Sequence, residues 1–143
     1  MPIRERAVQI SLFLLRVVSG LLFFQAGAMK LFGWYGGMPG GGTPPLGSQI
    51  GIGGILELIG GAALMLGLCT RPVAFVISGE MAVAYWQFHA PHGRWPIQNH
   101  GQPAVLLCFI FLFFAAYGAG DFSLDALVAR RRAQSAKGVP HAG

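Results

Sequence analysis

Residues 10–32 read ISLFLLRVVSGLLFFQAGAMKLF, an apolar run broken by two cations, Arg16 and Lys30. A run of this length crosses a hydrocarbon core as a helix, which takes about 20 residues. Three more apolar blocks follow at 50–68, 73–88 and 104–119, the last two short enough to leave little tilt. A backbone in lipid must satisfy its own hydrogen bonds, and a helix does so within one segment. The expected fold is therefore all-α: a polytopic membrane protein, with a four-transmembrane-helix bundle over residues 1–128 and a basic, disordered tail at 129–143.

Composition points the same way. Of the 143 residues, 54% are hydrophobic and only 10% charged, with a mean hydropathy of +0.58, whereas soluble domains carry about 25% charged residues. Four spans leave no room for a second domain. The cations sort by side: Arg4, Arg6, Arg71, Arg130, Arg131, Arg132 and Lys137 fall on one, Lys30 and Arg94 on the other. The positive-inside rule then puts both termini in the cytoplasm. The net charge of +5 is mostly this topology signal. Basic residues so few and so close to the spans argue against nucleic acid as a partner and for contact with membrane lipid, the Arg130 to Arg132 run meeting anionic headgroups.

The N-terminal segment imitates a secretory signal, but Arg16 interrupts its apolar core and apolar sequence continues past Ala26-Gly27-Ala28, so it reads as a retained first span. Cys69 and Cys108 form no metal or redox spacing and read as small apolar fillers. The loop at 33–49 is rich in Gly and Pro and reads as a lid or spacer; the loop at 89–103 gathers His89, His92, Arg94, Trp95, Asn99, His100 and Gln102. After a break at 118–120, Ser123 is placed to cap a short helix with Asp125 in its first turn.

Charges at membrane depth are costly, about 2.5–3.5 kcal/mol on insertion scales, and mark functional sites. Arg16, Glu57 and Glu80 are such residues. Helical spacing puts Arg16, Gly20, Phe23, Gly27 and Lys30 on one stripe, Gly53, Glu57, Gly60, Gly61 and Leu64 on a second, and Glu80, Ala84 and Gln87 on a third. Small residues on such stripes mark helix contacts. Counting about 1.5 Å per residue from the ends of the apolar blocks pairs Arg16 with Glu80 near the cytoplasm and, more loosely, Glu57 with Lys30 near the outer face. His89 falls half a turn from the Glu80 face and joins the outer loop group.

Together, Arg16 with Gly20, Gly27 and Lys30-Leu31, Glu57-x-x-Gly60-Gly61, Gly67-Leu68-x-Thr70-Arg71, Asn99-His100-Gly101-Gln102 and Gly118-x-Gly120-x-x-Ser123-Leu124-Asp125 resemble the DoxX family over residues 16–127. The resemblance implies a small four-helix protein of the bacterial cytoplasmic (inner) membrane. It also implies a link to the membrane subunit of thiosulfate:quinone oxidoreductase and to a soluble redox enzyme partner. One departure is Gln102, where the family's segment would carry Glu.

Quinone reduction needs an apolar slot, donors for the carbonyl oxygens and a proton source. Phe23, Phe24, Trp34, Trp86 and Phe88 are placed to line such a slot near the outer face. Glu57, Lys30 and His100 are the candidate catalytic residues; Arg16, Glu80, Trp86, His89 and Asn99 are candidates for binding substrate. Quinone enters as substrate, and no haem, flavin or metal is expected: His89, His92 and His100 cluster on one side with His141 in the tail, their spacing fixes no metal geometry, and no dinucleotide fingerprint follows a strand. Two other classes of function remain open on the sequence: a non-enzymatic scaffold or assembly factor docking a soluble redox enzyme through its tail, and a small-molecule transporter, which four short helices would permit only as a homo-oligomer.

Overall fold

The computed structural model describes residues 2–137. Among the described residues it is helical throughout, with no strand. Helix α1 spans Ile3–Phe32, α2 Gln49–Leu66, α3 Thr70–Ala84, α4 Gln102–Tyr117 and α5 Leu124–Lys137. Beyond Ala84 the third helix continues through a wide π turn, Tyr85–His89, and a 3-10 turn, Ala90–His92. A further 3-10 turn, Trp34–Gly36, follows α1.

Two differences from the expected boundaries have local causes. Helix α1 starts seven residues before the apolar block, at Ile3, because Pro2 sets the entering backbone and Arg4, Glu5 and Arg6 are good helix formers despite their charge. Residues 129–137, expected to be disordered, belong to α5. Ser123 Oγ accepts the Ala126 amide at 3.2 Å, and the Ala, Leu, Arg and Gln that follow favour helix strongly. The remaining tail, 138–143, lies outside the described residues.

Helices α1 to α4 pack side by side as two antiparallel hairpins. In the first, glycines bring backbones together: a Cβ placed on Gly27 would lie 2.5 Å from Leu58 N and 2.6 Å from Gly54 O, and one on Gly61 would lie 2.6 Å from Phe24 N. This is the small-residue contact by which helices associate without a hydrophobic driving force between them. In the second hairpin Ser78 Oγ donates to Cys108 O at 2.8 Å. The hairpins meet through a smaller α2–α3 contact, and α1 scarcely touches α4. Where those two do meet, the Phe23 and Phe111 rings stand edge to face at 4.9 Å. Phe23, Leu64, Ile77, Phe111 and Phe114 form the buried core.

The outside is as apolar as the inside. Leu14, Val18, Leu22, Ile59, Phe75, Val76, Leu106 and Phe109 are all exposed, a surface far beyond the scattered apolar residues of a soluble monomer. By length and composition α1 and α2 each suffice to cross a membrane, and α4 is a shorter apolar helix.

The close α1–α2 approach generates a test. Gly27→Leu should lower the thermal unfolding midpoint in detergent and cost at least about 2 kcal/mol, since it overpacks a backbone contact. Gly47→Ala, at a position where an added methyl group meets nothing within 4 Å, should leave the midpoint unchanged.

Candidate functional site

The loose side of the bundle holds a cleft of about 850 Å³ between the two hairpins. Leu15, Val18, Leu22 and Phe23 of α1, Met81 and Ala84 of α3, and Ala104, Leu106, Leu107 and Ile110 of α4 supply apolar walls. Val18, Leu22 and Leu106 are strongly exposed, so the cleft opens sideways between α1 and α4, through the gap their scant contact leaves. Met38 of the 33–48 loop also borders it.

Its polar groups come from three helices. Lys30 Nζ donates to Glu57 Oε1 at 2.6 Å, with Glu57 only 3% exposed. The stripe of glycines on α2 explains the reach: with α1 lying against backbone, a side chain from each helix can bridge the seam. Glu80 shares the cleft and packs on α2 at Gly53, where a Cβ would sit 3.2 Å from its Oε1. Lys30 is in ion-pair contact with Glu57, and Glu80 lies in the same cleft beside them. Glu57 Oε2 and Glu80 Oε2 are both buried without a hydrogen-bond partner. A buried polar atom without a partner costs about 1–3 kcal/mol. Near the cleft's end Gln49 is hydrogen-bonded to Gln87, and Gln49 lines the wall.

His89 also lines this cleft. Over nine residues an unbroken α-helix would turn it about half a turn away from Glu80. The π turn intervenes, with the Ala90 amide donating five residues back to Tyr85 O. Its smaller rotation per residue carries His89 round to the cleft, and such turns recur at functional sites. His89 Nδ1 is 3.1 Å from Asn99 O, so the residue keeps its link to the outer loop as well.

The other expected site residues lie elsewhere. Trp86 is 71% exposed and points away from the bundle, while His100, with φ 57°, is exposed at a turn. Neither borders the cleft, nor does Asn99. Asn99 is buried and shapes its loop: Nδ2 donates to Gly93 O at 2.9 Å and Oδ1 accepts the Gly101 amide at 2.9 Å. Among the described residues no group of three or more His, Cys, Asp or Glu side chains is placed to hold a metal.

Arg16 does not meet Glu80. It is 0% exposed, and its Nη1 donates to Leu64 O at 2.6 Å and Met65 O at 2.8 Å while Nη2 donates to Phe122 O at 2.6 Å. Arg16 stands level with the last turn of α2 and Glu80 with Gly53, eleven positions or roughly 16 Å apart along that helix. Depth measured from the edges of apolar blocks misplaces them, because it assumes that the helix ends lie level: α1 starts at Ile3 and projects past the α2–α3 turn, so Arg16 reaches only the last turn of α2, whereas Glu80 lies ten residues into α3. Around Arg16 the chain ties a knot. Asp125 accepts the Cys69 amide through Oδ1 and the Thr70 amide through Oδ2, both at 2.8 Å, capping α3, and the Asp125 amide donates to Gly67 O at 2.9 Å. Gly67 has φ 67°, and a Cβ there would fall 2.6 Å from Arg16 Nη1. In the sequence Asp125 is legible only as a first-turn residue of its own helix.

The family model described as DoxX matches residues 11–90. The chain belongs to the DoxX family. A relative from Haemophilus influenzae, described as an uncharacterized protein, is 38% identical over 114 residues, covering 78% of this chain and 85% of that one. No solved structure matches. This chain is thus a DoxX membrane protein in which both Arg16 and the Lys30–Glu57 pair fall within the matched segment, one in the knot and one in the cleft.

Removing Arg16 takes the guanidinium donor from Met65 O and Phe122 O and leaves Leu64 O with the Gly67 amide. Arg16→Met should therefore cost roughly 3 kcal/mol or more, read as a lowered unfolding midpoint in detergent, and Asp125→Asn should lower it less. An Arg16→Met protein with the wild-type midpoint would remove the knot from the account of stability.

Proposed function

We propose that this DoxX protein is a multi-pass protein of the bacterial inner membrane with four spanning helices and cytoplasmic termini, and that it binds a lipid-soluble quinone in the cleft as a quinone-linked redox membrane subunit or small oxidoreductase. The observation that carries the reading is the Lys30–Glu57 pair set into an otherwise apolar cleft that opens sideways. A ring with an apolar tail fits that shape: the tail leaves between α1 and α4 into lipid, and Lys30 Nζ is a donor for a ring oxygen. Placing the polar groups in a water-poor cleft strengthens each contact with a developing quinolate. Glu57 and Glu80 supply carboxyl groups within the same cleft for proton exchange.

Topology rests on charge. Arg4, Arg6, Arg71 and Arg130 to Arg132 gather at the end where α1 begins and α4 ends, Lys30 and Arg94 at the other, which the positive-inside rule assigns to the cytoplasm and the outer side. With α4 at 16 residues, roughly 24 Å of helix, the spans are short but sufficient.

Purified protein in lipid nanodiscs should bind a decyl-tailed benzoquinone saturably. Lys30→Met and Glu57→Gln should each weaken that binding about tenfold, or ~1.4 kcal/mol. No saturable binding to the wild type, or wild-type binding in both variants, would sink the reading.

A second reading has its own observation. Helix α5 exposes Arg130, Arg131 and Arg132 beyond the bundle, a surface suited to docking a soluble redox enzyme in the manner of a scaffold. If that is its role, changing all three to Ala should abolish co-purification of the enzyme while Glu57→Gln leaves it intact; the opposite pattern would exclude scaffolding through α5.

A further inference from the structure

The acceptors and donors around the cleft are unequal, and His89 tips the balance. A ring nitrogen facing a carbonyl oxygen can hydrogen-bond only as the donor. His89 Nδ1 lies 3.1 Å from Asn99 O, so Nδ1 carries the hydrogen, and in the neutral ring Nε2 is left as a lone-pair acceptor. The bond to a second residue is what fixes the tautomer, as it does for histidines that ligate metals. Its partner is firmly held: Asn99 is 4% exposed and uses both ends of its side chain on the backbone of Gly93 and Gly101. Tyr85 stacks on the His89 ring at 6.4 Å between centroids, and the π turn delivers that ring to the cleft wall.

Resting on the reading of the cleft as a quinone-class site, we infer that His89 Nε2 is its built hydrogen-bond acceptor and selects a ring bearing a hydroxyl, so that the site takes the quinol in preference to the quinone. Every other polar group there sharpens this. Ser19 Oγ donates to Leu15 O, and Gln49 Nε2 gives one of its hydrogens to Gln87. Glu57 Oε1 is already taken by Lys30, and Glu80 lies against α2 at Gly53. Lys30 is the one cationic donor among the described residues that line the cleft. A quinone offers oxygens that only accept; one of them finds Lys30, while the other sets a lone pair against the lone pair of Nε2. A quinol satisfies both ends: one hydroxyl donates to His89 and the other oxygen accepts from Lys30. His89 is a specificity residue in this account, acting by contact with the ring, and no electron transfer is implied.

The test compares a decyl-tailed benzoquinol, kept reduced under anaerobic conditions, with its oxidised benzoquinone and with the di-O-methyl ether of the quinol, each bound to the full chain in nanodiscs. The quinol should bind at least about tenfold more tightly than the other two. His89→Leu should erase that preference, and His89→Gln, which restores an acceptor oxygen, should recover part of it. Nitrogen-15 spectra of the wild-type imidazole give an independent reading: His89 should be the Nδ1–H tautomer, with the Nε2 resonance moving when quinol binds but not when the ether does. Equal binding of quinol and quinone overturns the inference and leaves the quinone site standing, as does an Nε2–H tautomer at His89. Binding of none of the three compounds overturns both.

Discussion

The guanidinium of Arg16 is the point at which four parts of the chain are joined. It donates from α1 to the Leu64 and Met65 carbonyls in the last turn of α2 and to the carbonyl of Phe122 ahead of α5, while Asp125 of α5 caps the first amides of α3. A helix C-terminus carries unsatisfied carbonyls and partial negative charge, and an N-terminus unsatisfied amides. The α2–α3 turn presents both at once, and one arginine and one aspartate answer them. The Gly67 to Arg71 and Ser123 to Asp125 segments, which look like a chemical signature in the sequence, are a structural clasp.

That clasp fixes one end of the bundle and leaves the other free to differ. Glycine-mediated backbone contact closes α1 on α2, whereas α1 and α4 meet chiefly where Phe23 packs on Phe111. Around that contact the helices part, and the cleft is the space between them. Its polar lining follows from the same asymmetry. A tight seam places Lys30 against Glu57, and a single missing side chain at Gly53 admits Glu80.

How much of this is legible in the sequence depends on whether position along a helix is enough. Lys30 and Glu57 are legible because both lie on small-residue stripes of neighbouring helices at matching depth, and regular geometry carries them together. Arg16 and Glu80 are not, because depth counted from hydropathy edges assumes that the helix ends lie level, and α1 projects past the α2–α3 turn. The place of His89 on the same cleft wall as Glu80 is hidden for a different reason: one π turn changes the angular register, and no residue in Tyr85–His89 announces it. The helical continuation of α5 is legible in principle from its Ala, Leu and Arg content, but an arginine run followed by Gly and Pro resembles a tail. The all-helical fold needs none of these details, since it follows from apolar run length alone.

The partners of Arg16 also impose an order on biosynthesis. Lys30 and Glu57 sit on adjacent helices, so their charges can neutralise one another as soon as the first hairpin has been made. Arg16 is different, because one of its three carbonyl partners, Phe122, is translated only after all four bundle helices. Until then its donors cannot all be satisfied, and α3 lacks the cap that Asp125 provides. The clasp therefore closes last, and a chain halted before residue 125 would carry an incompletely satisfied guanidinium that distinguishes it from the finished protein.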